Sequence, residues 1–301
     1  MQTYDIAIIG AGPAGIQAAI HSSRRKTRVA LLGRIENSAL YNAHIENYAF
    51  VPSIASGADL LRLGVEQATR FGAETFAEDV LAITQADERF QVELESGTAI
   101  GAHALIFAMG VSKKKLNVPG EQELSGRGVS YCVDCDANFY RNAVVAVTGD
   151  RSAAVDGALT LLDYAAKVYL ITEQLNVSQE LLNRLEKSKV ERIHSSIARI
   201  VGERNVQSLL LVNGQALDAE GIFIELGSKG ILELATKIGV QLDTESFKHI
   251  AVSRQQATNI PGIYAAGDIA GPPYQMAKAV GEGCVAGIEA AAYARKLRQD
   301  G

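Results

Sequence analysis

The sequence predicts an α/β protein built from two nucleotide-binding-type domains, the second inserted into the first. Three observations lead there. A glycine turn follows an apolar strand at the N-terminus, a second strand–turn–helix–strand unit occupies 143–171, and a Gly-Asp segment at 267–268 returns to the pattern of the first domain.

In chain order, residues 4–9 (YDIAII) are predicted as a buried parallel strand, followed by the turn Gly10-Ala-Gly-Pro-Ala-Gly15 and an Ala-rich helix to about Ser23. A second strand is expected at 28–32, which completes a unit of about thirty residues, the context in which a glycine fingerprint becomes informative. A helix is expected near 58–71 and strands near 89–95 and 104–108. The second unit reads AVVAVTG, SAAVDGALTLLDYA and KVYLI. Further strands are expected near 192–201, 207–213 and 221–226, and the chain closes with GIYAAGD and a long helix over 275–296. The crossings between domains are placed near 111–117 and 244–250. This gives a first domain of 1–114 plus 247–301 and an inserted domain of 115–246, both Rossmann-like.

Composition narrows the function classes. The apolar fraction of 48% supports globular cores, and a net charge of -5 argues against nucleic acid as a partner. Two basic runs, Arg24-Arg25-Lys26 and Lys113-Lys114-Lys115, stand against that balance. No apolar stretch approaches the ~18 residues of a membrane span. The start MQTYDIAIIG is not of secretory type, and three cysteines in a chain this long are no disulfide framework. Taken together these place the chain in a reducing cytoplasm.

GAGPAG has the form G-x-G-x-x-G. Its first glycine permits a tight turn, its second lets backbone approach a pyrophosphate, and its third lets the helix pack on the strand, with the helix N-terminus facing the phosphates. Alone, the pattern also fits a βα turn that binds nothing. The usual acid ending the second strand is missing from Leu32-Gly33-Arg34-Ile35-Glu36, although Glu36 could reach a ribose. Two further signals, Ala108-Met109-Gly110 and Ala265-Ala266-Gly267-Asp268, each end a strand in the manner of a flavin domain. The three together favour FAD.

Cys132-Val-Asp-Cys135 is the pair with chemistry. The spacing lets both sulfurs meet at a helix start, where amides and dipole stabilise a thiolate. One sulfur can attack a partner disulfide while the other resolves the mixed disulfide. Half of a zinc site is the competing reading, but no second Cys/His pair completes four ligands, and no metal is expected. Asp136 offers an acid–base carboxyl beside the pair. Cys284 on the last helix reads as a core thiol.

With these residues in place the sequence resembles the low-molecular-weight thioredoxin reductases over nearly its whole length. The resemblance rests on GAGPAG, Glu46-Asn47-Tyr48, Ala108-Met109-Gly110, Val118-Pro119-Gly120-Glu121, Gly126-Arg-Gly-Val-Ser-Tyr-Cys-Val-Asp-Cys-Asp136, and Gly267-Asp268 with Tyr274. It implies a homodimer with one FAD per subunit and electron flow from flavin to Cys132/Cys135 and on to thioredoxin or a similar disulfide protein. By the same analogy Cys135 faces the flavin, Cys132 attacks the partner, Asp136 is the acid, and the domains rotate to expose the dithiol. The FAD would contact Gly10, Gly12, Pro13, Ala14 and Gly15, then Gly33, Arg34, Glu36, Leu40 and Asn47. Ala108, Gly110, Gly267, Asp268, Gln275, Met276 and Ala277 would complete its site.

The departures carry as much as the matches. Where the family has a G-x-G-x-x-A turn for NADPH, this chain reads Gly149-Asp150-Arg151-Ser152-Ala153-Ala154. Arg151 replaces the glycine that admits the pyrophosphate, and Asp150 adds negative charge. Where the family sets a histidine and two arginines for a 2′-phosphate, this chain reads Ile171-Thr172-Glu173-Gln174, and Glu173 would repel that phosphate while suiting a 2′-hydroxyl. Gln275-Met276 replaces the family's Arg-Gln, and Asn37-Ser38-Ala39 replaces a glycine-rich flavin loop.

The expectation is therefore an NADPH-independent enzyme that resembles the branches in which ferredoxin reduces the flavin or a second flavin fills the former NADPH pocket. Lys113-Lys114-Lys115 is a candidate docking face for an acidic ferredoxin, and Arg151 a candidate partner for flavin phosphates. Two other readings stay open: a conventional NAD(P)H-dependent enzyme with an atypical turn, and a flavin redox sensor that does not turn over.

Overall fold

A computed structural model describes residues 1–49, 51, 53–86, 89–110, 115–227 and 230–300. The chain runs β1 (Gln2–Ile9), α1 (Pro13–Arg24), β2 (Val29–Leu32), β3 (His44–Ile45), β4 (Ala55–Ser56), α2 (Gly57–Arg70), β5 (Glu74–Phe76), β6 (Val80–Ala86), β7 (Arg89–Leu94) and β8 (Ala99–Phe107). It continues through β9 (Val129–Ser130), α3 (Val133–Asp136), β10 (Val144–Thr148), α4 (Ser152–Leu161), β11 (Lys167–Ile171), α5 (Gln179–Glu186) and β12 (Glu191–Ile193). Then follow β13 (Ile197–Val201), β14 (Ser208–Leu211), β15 (Ala216–Asp218), β16 (Gly221–Ile224), α6 (Ile231–Lys237), β17 (Ile263–Ala265) and α7 (Met276–Asp300).

Two compact units emerge. The first holds 1–94, 98–111 and 231–301, the second 95–97 and 112–230. In the first, the sheet order is β5-β2-β1-β8-β7-β6, with β17 added on β8, and β1 runs parallel to both β2 and β8. Its apolar residues alternate between two cores. Ile6 and Ile8 pack with α1 and α7 on one face, whereas Ala7 and Ile9 pack on the other with α6. Burial on both faces is the reason β1 reads as a continuous apolar run. Helices α1 and α7 approach through small residues. A Cβ on Gly283 would lie 2.1 Å from the Ala14 carbonyl oxygen, and Ser22 Oγ donates to the Gly287 carbonyl at 3.0 Å.

The second unit pairs a parallel sheet, order β12-β11-β10-β16-β9, with an antiparallel sheet β13-β14-β15. Val145, Val147, Val168, Leu170, Ile222 and Phe223 are buried in the parallel sheet.

Two boundaries differ from the sequence reading. The return to the first unit comes at 231 rather than 247, because Ile231, Leu234, Ala235 and Val240 are buried in the first unit's core. The strand expected over 192–201 is two strands in two sheets. The polar stretch His194-Ser195-Ser196 breaks it, and Val212 N donates to the Ser196 carbonyl at 2.9 Å to start the second pairing. Of the basic run at 113–115, Lys113 and Lys114 lie outside the described residues.

Candidate functional site

In the first unit the three glycine signals, far apart in sequence, meet. Gly10 has φ +116°, and a Cβ there would lie 2.6 Å from the Ala108 carbonyl oxygen, so the turn rests directly on the 108–110 segment. Ala108 N donates to the Ile9 carbonyl at 2.8 Å. A Cβ on Gly15 would lie 1.8 Å from the Gly10 carbonyl oxygen, which is the close packing the third glycine permits. Gly12 is the N-cap of α1 and Pro13 its first residue, with no side-chain cap. The Ala14 and Gly15 amides therefore belong to a helix start with no intrahelical partner, suited to an anion. Gly267 closes on the same turn, its Cβ position 3.0 Å from Ala14 Cβ.

The loop after Gly267 is held by an i,i+4 pair that the sequence reading missed. Lys278 Nζ donates to the carbonyls of Gly267 (2.8 Å) and Gly271 (2.5 Å) and pairs with Glu282 at 2.9 Å. Glu282 in turn accepts from Gly267 N at 2.9 Å. Beside them, burial pushes the Asp268 carboxyl up, against the opposing charge of Lys278. Asn47 Nδ2 donates to Gln275 Oε1 at 3.2 Å, which brings two predicted cofactor residues together, and Met276 and Ala277 open α7 beside them. Tyr274 Oη lies 2.7 Å from His249 Nε2.

Other predicted residues are placed differently. Arg34 turns to the buried Asp79 (3.3 Å), whose other oxygen accepts from Asn37 Nδ2 (3.1 Å), so this pair fastens the turn after β2. Glu36 is exposed on the short 3-10 turn Ile35–Asn37, Leu40 packs against the α1 core, and Gly33 N donates to the Phe76 carbonyl at 2.9 Å. Gly110 is exposed at the end of its segment, and Cys284, read as a core thiol, is half-buried.

In the second unit Cys132 and Cys135 form a disulfide. Cys132 is the N-cap of α3, and Cys135 N points at its sulfur, 3.2 Å away. Cys132 is 8% exposed, while Cys135 is open to solvent. Asp136 is held by Ser130, whose Oγ donates to its carboxylate at 2.6 Å and accepts from Cys132 N at 3.1 Å. Ser130 belongs to the cysteine segment, but its residue type alone did not announce this role. Burial, with the Asp136 charge beside it, pushes the Tyr140 phenol up. Glu225, at the end of β16, accepts from Val133 N at 3.1 Å, a second contact that the sequence reading did not include.

The second glycine turn is closed in a different way from the first. Gly149 is buried, Asp150 is exposed, and Arg151 is the N-cap of α4, which Ser152 begins. The buried Nη1 of Arg151 has no hydrogen-bond partner among the described residues. Glu173 accepts from Ser196 Oγ at 2.9 Å at the edge of a groove of about 490 Å³ lined by Glu173, Gln174, His194, Ser195, Val212 and Asn213, with no lysine or arginine among the described residues that line it. Among the described residues no group of His, Cys, Asp and Glu is arranged for a metal, and no helix is long and apolar enough to cross a membrane.

Comparison with known proteins adds four findings. A family model described as pyridine nucleotide-disulphide oxidoreductase matches residues 4–283. A thioredoxin reductase of Listeria innocua is 34% identical over 98% of this chain and 95% of its own. Among solved structures, the atypical thioredoxin reductase TRi from Desulfovibrio vulgaris Hildenborough superposes with a TM-score of 0.82 at 33% identity, covering 97% of this chain and 98% of its own. A ferredoxin-flavin thioredoxin reductase from Clostridium acetobutylicum gives 0.70 at 33% identity over 99% of both chains.

Proposed function

This chain belongs to the thioredoxin reductase family of pyridine nucleotide-disulphide oxidoreductases, and from that premise we propose that it passes electrons from FAD through Cys132 and Cys135 to a thioredoxin-like disulfide, with a donor other than NADPH. The observation that carries the reading is the Cys132–Cys135 disulfide at the start of α3, with Ser130 holding Asp136 beside it.

The first unit suits FAD. The Gly10–Gly15 cradle leaves backbone, not side chain, at the helix start, and Asp268 stands beside it for a ribityl hydroxyl. When bound, FAD supplies the two-electron chemistry that reduces the disulfide. The residues of the second unit do the rest. The amide of Cys135 favours the Cys132 thiolate, which attacks a partner disulfide. One partner sulfur leaves as a thiolate and takes a proton, for which Asp136 is the nearby acid. The Cys135 thiolate then attacks the Cys132 sulfur, releasing the second partner thiol and restoring the Cys132–Cys135 disulfide, so the partner gains the two electrons the pair loses.

The donor assignment rests on the second turn. Gly149, Asp150, Arg151, Ser152 and Glu173 put a bulky cation and two carboxylates where a nicotinamide nucleotide would need open backbone and positive charge. The unpartnered buried Nη1 of Arg151 suits a phosphate, which supports a second flavin there; the ferredoxin-flavin relative supports reduction by ferredoxin instead. A homodimer in the cytoplasm fits either route.

Trapping tests the reading. Reduced Cys135→Ser protein, mixed with oxidised thioredoxin, is expected to accumulate a mixed disulfide through Cys132. Trapping by Cys132→Ser alone would move the attack to the more exposed Cys135. Failure of both variants would leave a flavin protein that senses redox state without turnover.

A further inference from the structure

We infer that Glu225 is a positioning residue for the redox pair: its carboxylate, seated on the Val133 amide at the start of α3, holds Cys132 and Cys135 at a more reducing poise than a bare helix N-terminus would give. The inference rests on the proposed role of this pair, not on the identity of the electron donor.

The geometry comes first. Val133 is the first residue of α3, between the N-cap Cys132 and Cys135, and its N–H donates to Glu225 Oε1 at 3.1 Å. Glu225 is 9% exposed, and its own N–H donates to the Thr148 carbonyl at 2.9 Å, which anchors it at the end of the parallel sheet. Helix α4 makes room for the contact. A Cβ on Gly157 would lie 2.9 Å from Val133 Cγ2 and 3.8 Å from Glu225 Cγ, so the two residues share the space a side chain at 157 would fill. The carboxylate is thus built into the redox helix from a residue 92 positions away in sequence.

The chemistry follows from competing charges. A helix start and its amides stabilise a thiolate at the N-cap, and a strongly stabilised thiolate makes a dithiol pair an oxidant. The Cys135 amide acts on Cys132 in that sense. Glu225 acts in the opposite sense, because it occupies the first amide of the helix and brings a carboxylate to the residue that follows Cys132. A pair that must give electrons to a partner disulfide needs that correction. Among the described residues, the other ionisable groups on α3, on the turn after it and on α4 are Asp134, Asp136, Tyr140 and Asp156, with Arg151 at the N-cap of α4. Among the described residues, the carboxylate on the Val133 amide is that of Glu225.

The test uses the full-length flavin-containing protein reduced with dithiothreitol. The alkylation rate of Cys132 by iodoacetamide is followed against pH by mass spectrometry, with Cys284 as internal control. Glu225→Gln keeps the hydrogen-bonding shape and removes the charge. Its midpoint is expected to fall by about one pH unit, roughly tenfold more thiolate below the midpoint, with the dithiol–disulfide equilibrium shifting toward dithiol by a similar factor. Val133→Pro, compatible with a first helical position, removes the donor and leaves the carboxylate, so the midpoint is expected to rise. This arm decides alone if the Gln variant does not fold. A Gln variant with the parent's midpoint, or a Pro variant whose midpoint does not rise, would overturn the inference. Alkylation needs neither donor nor partner, so such a failure is distinct from failure of the proposed reaction, which the thioredoxin trap reports.

Discussion

Gly10→Val protein is expected to be isolated without flavin. The Cβ that any side chain adds at this position falls 2.6 Å from the Ala108 carbonyl oxygen and 2.8 Å from Met109 N, both backbone atoms that cannot turn away. The φ of +116° adds a further cost for a β-branched residue, and together they exceed ~3 kcal/mol. Relief requires β1 and the 108–110 segment to part, which opens the cradle beneath the helix start. The visible flavin band of the purified protein measures this directly. A Gly10→Val protein that retains a full complement of FAD would place the cofactor elsewhere.

The second large effect belongs to the cysteines. Cys135→Ser protein is expected to keep its flavin and to lose turnover on a thioredoxin disulfide by ~10³-fold or more, because the mixed disulfide through Cys132 has no sulfur to resolve it. Steady-state reduction of thioredoxin with a chemically reduced viologen as electron source gives the number. Turnover near that of the parent would mean that the electrons bypass the pair held by Ser130, Asp136 and Glu225.

Much of this protein was legible because its signals are local. GAGPAG lies between a buried strand and a helix, and Cys132-Val-Asp-Cys135 carries its own spacing, so both could be read within a dozen residues. The meeting of Gly10, Ala108 and Gly267 was legible only as three separate strand ends, and the sheet joins them because β1 and β17 both pair with β8. What depends on distant partners was missed. Ile231, Leu234 and Ala235 make an apolar helix stripe that either domain could bury, so the sequence reading placed the second crossing at 247 rather than 231. Glu225 stands as a charge ending an apolar strand, a sign worth heeding, but nothing local points it at Val133. Lys278 and Glu282 look like an ordinary helix surface pair until the backbone of Gly267 is found between them.

The measurement that bears most directly on the proposed electron path is anaerobic reduction of the bound flavin, followed by its visible absorbance. Arg151 at the N-cap of α4 and Glu173 just past β11 predict that excess NADPH leaves the band unchanged, while dithionite bleaches it fully and reduced ferredoxin is the proposed donor to try next. Prompt and complete bleaching by NADPH would contradict this and make the protein a pyridine-nucleotide-dependent reductase that binds its donor with an arginine in the turn.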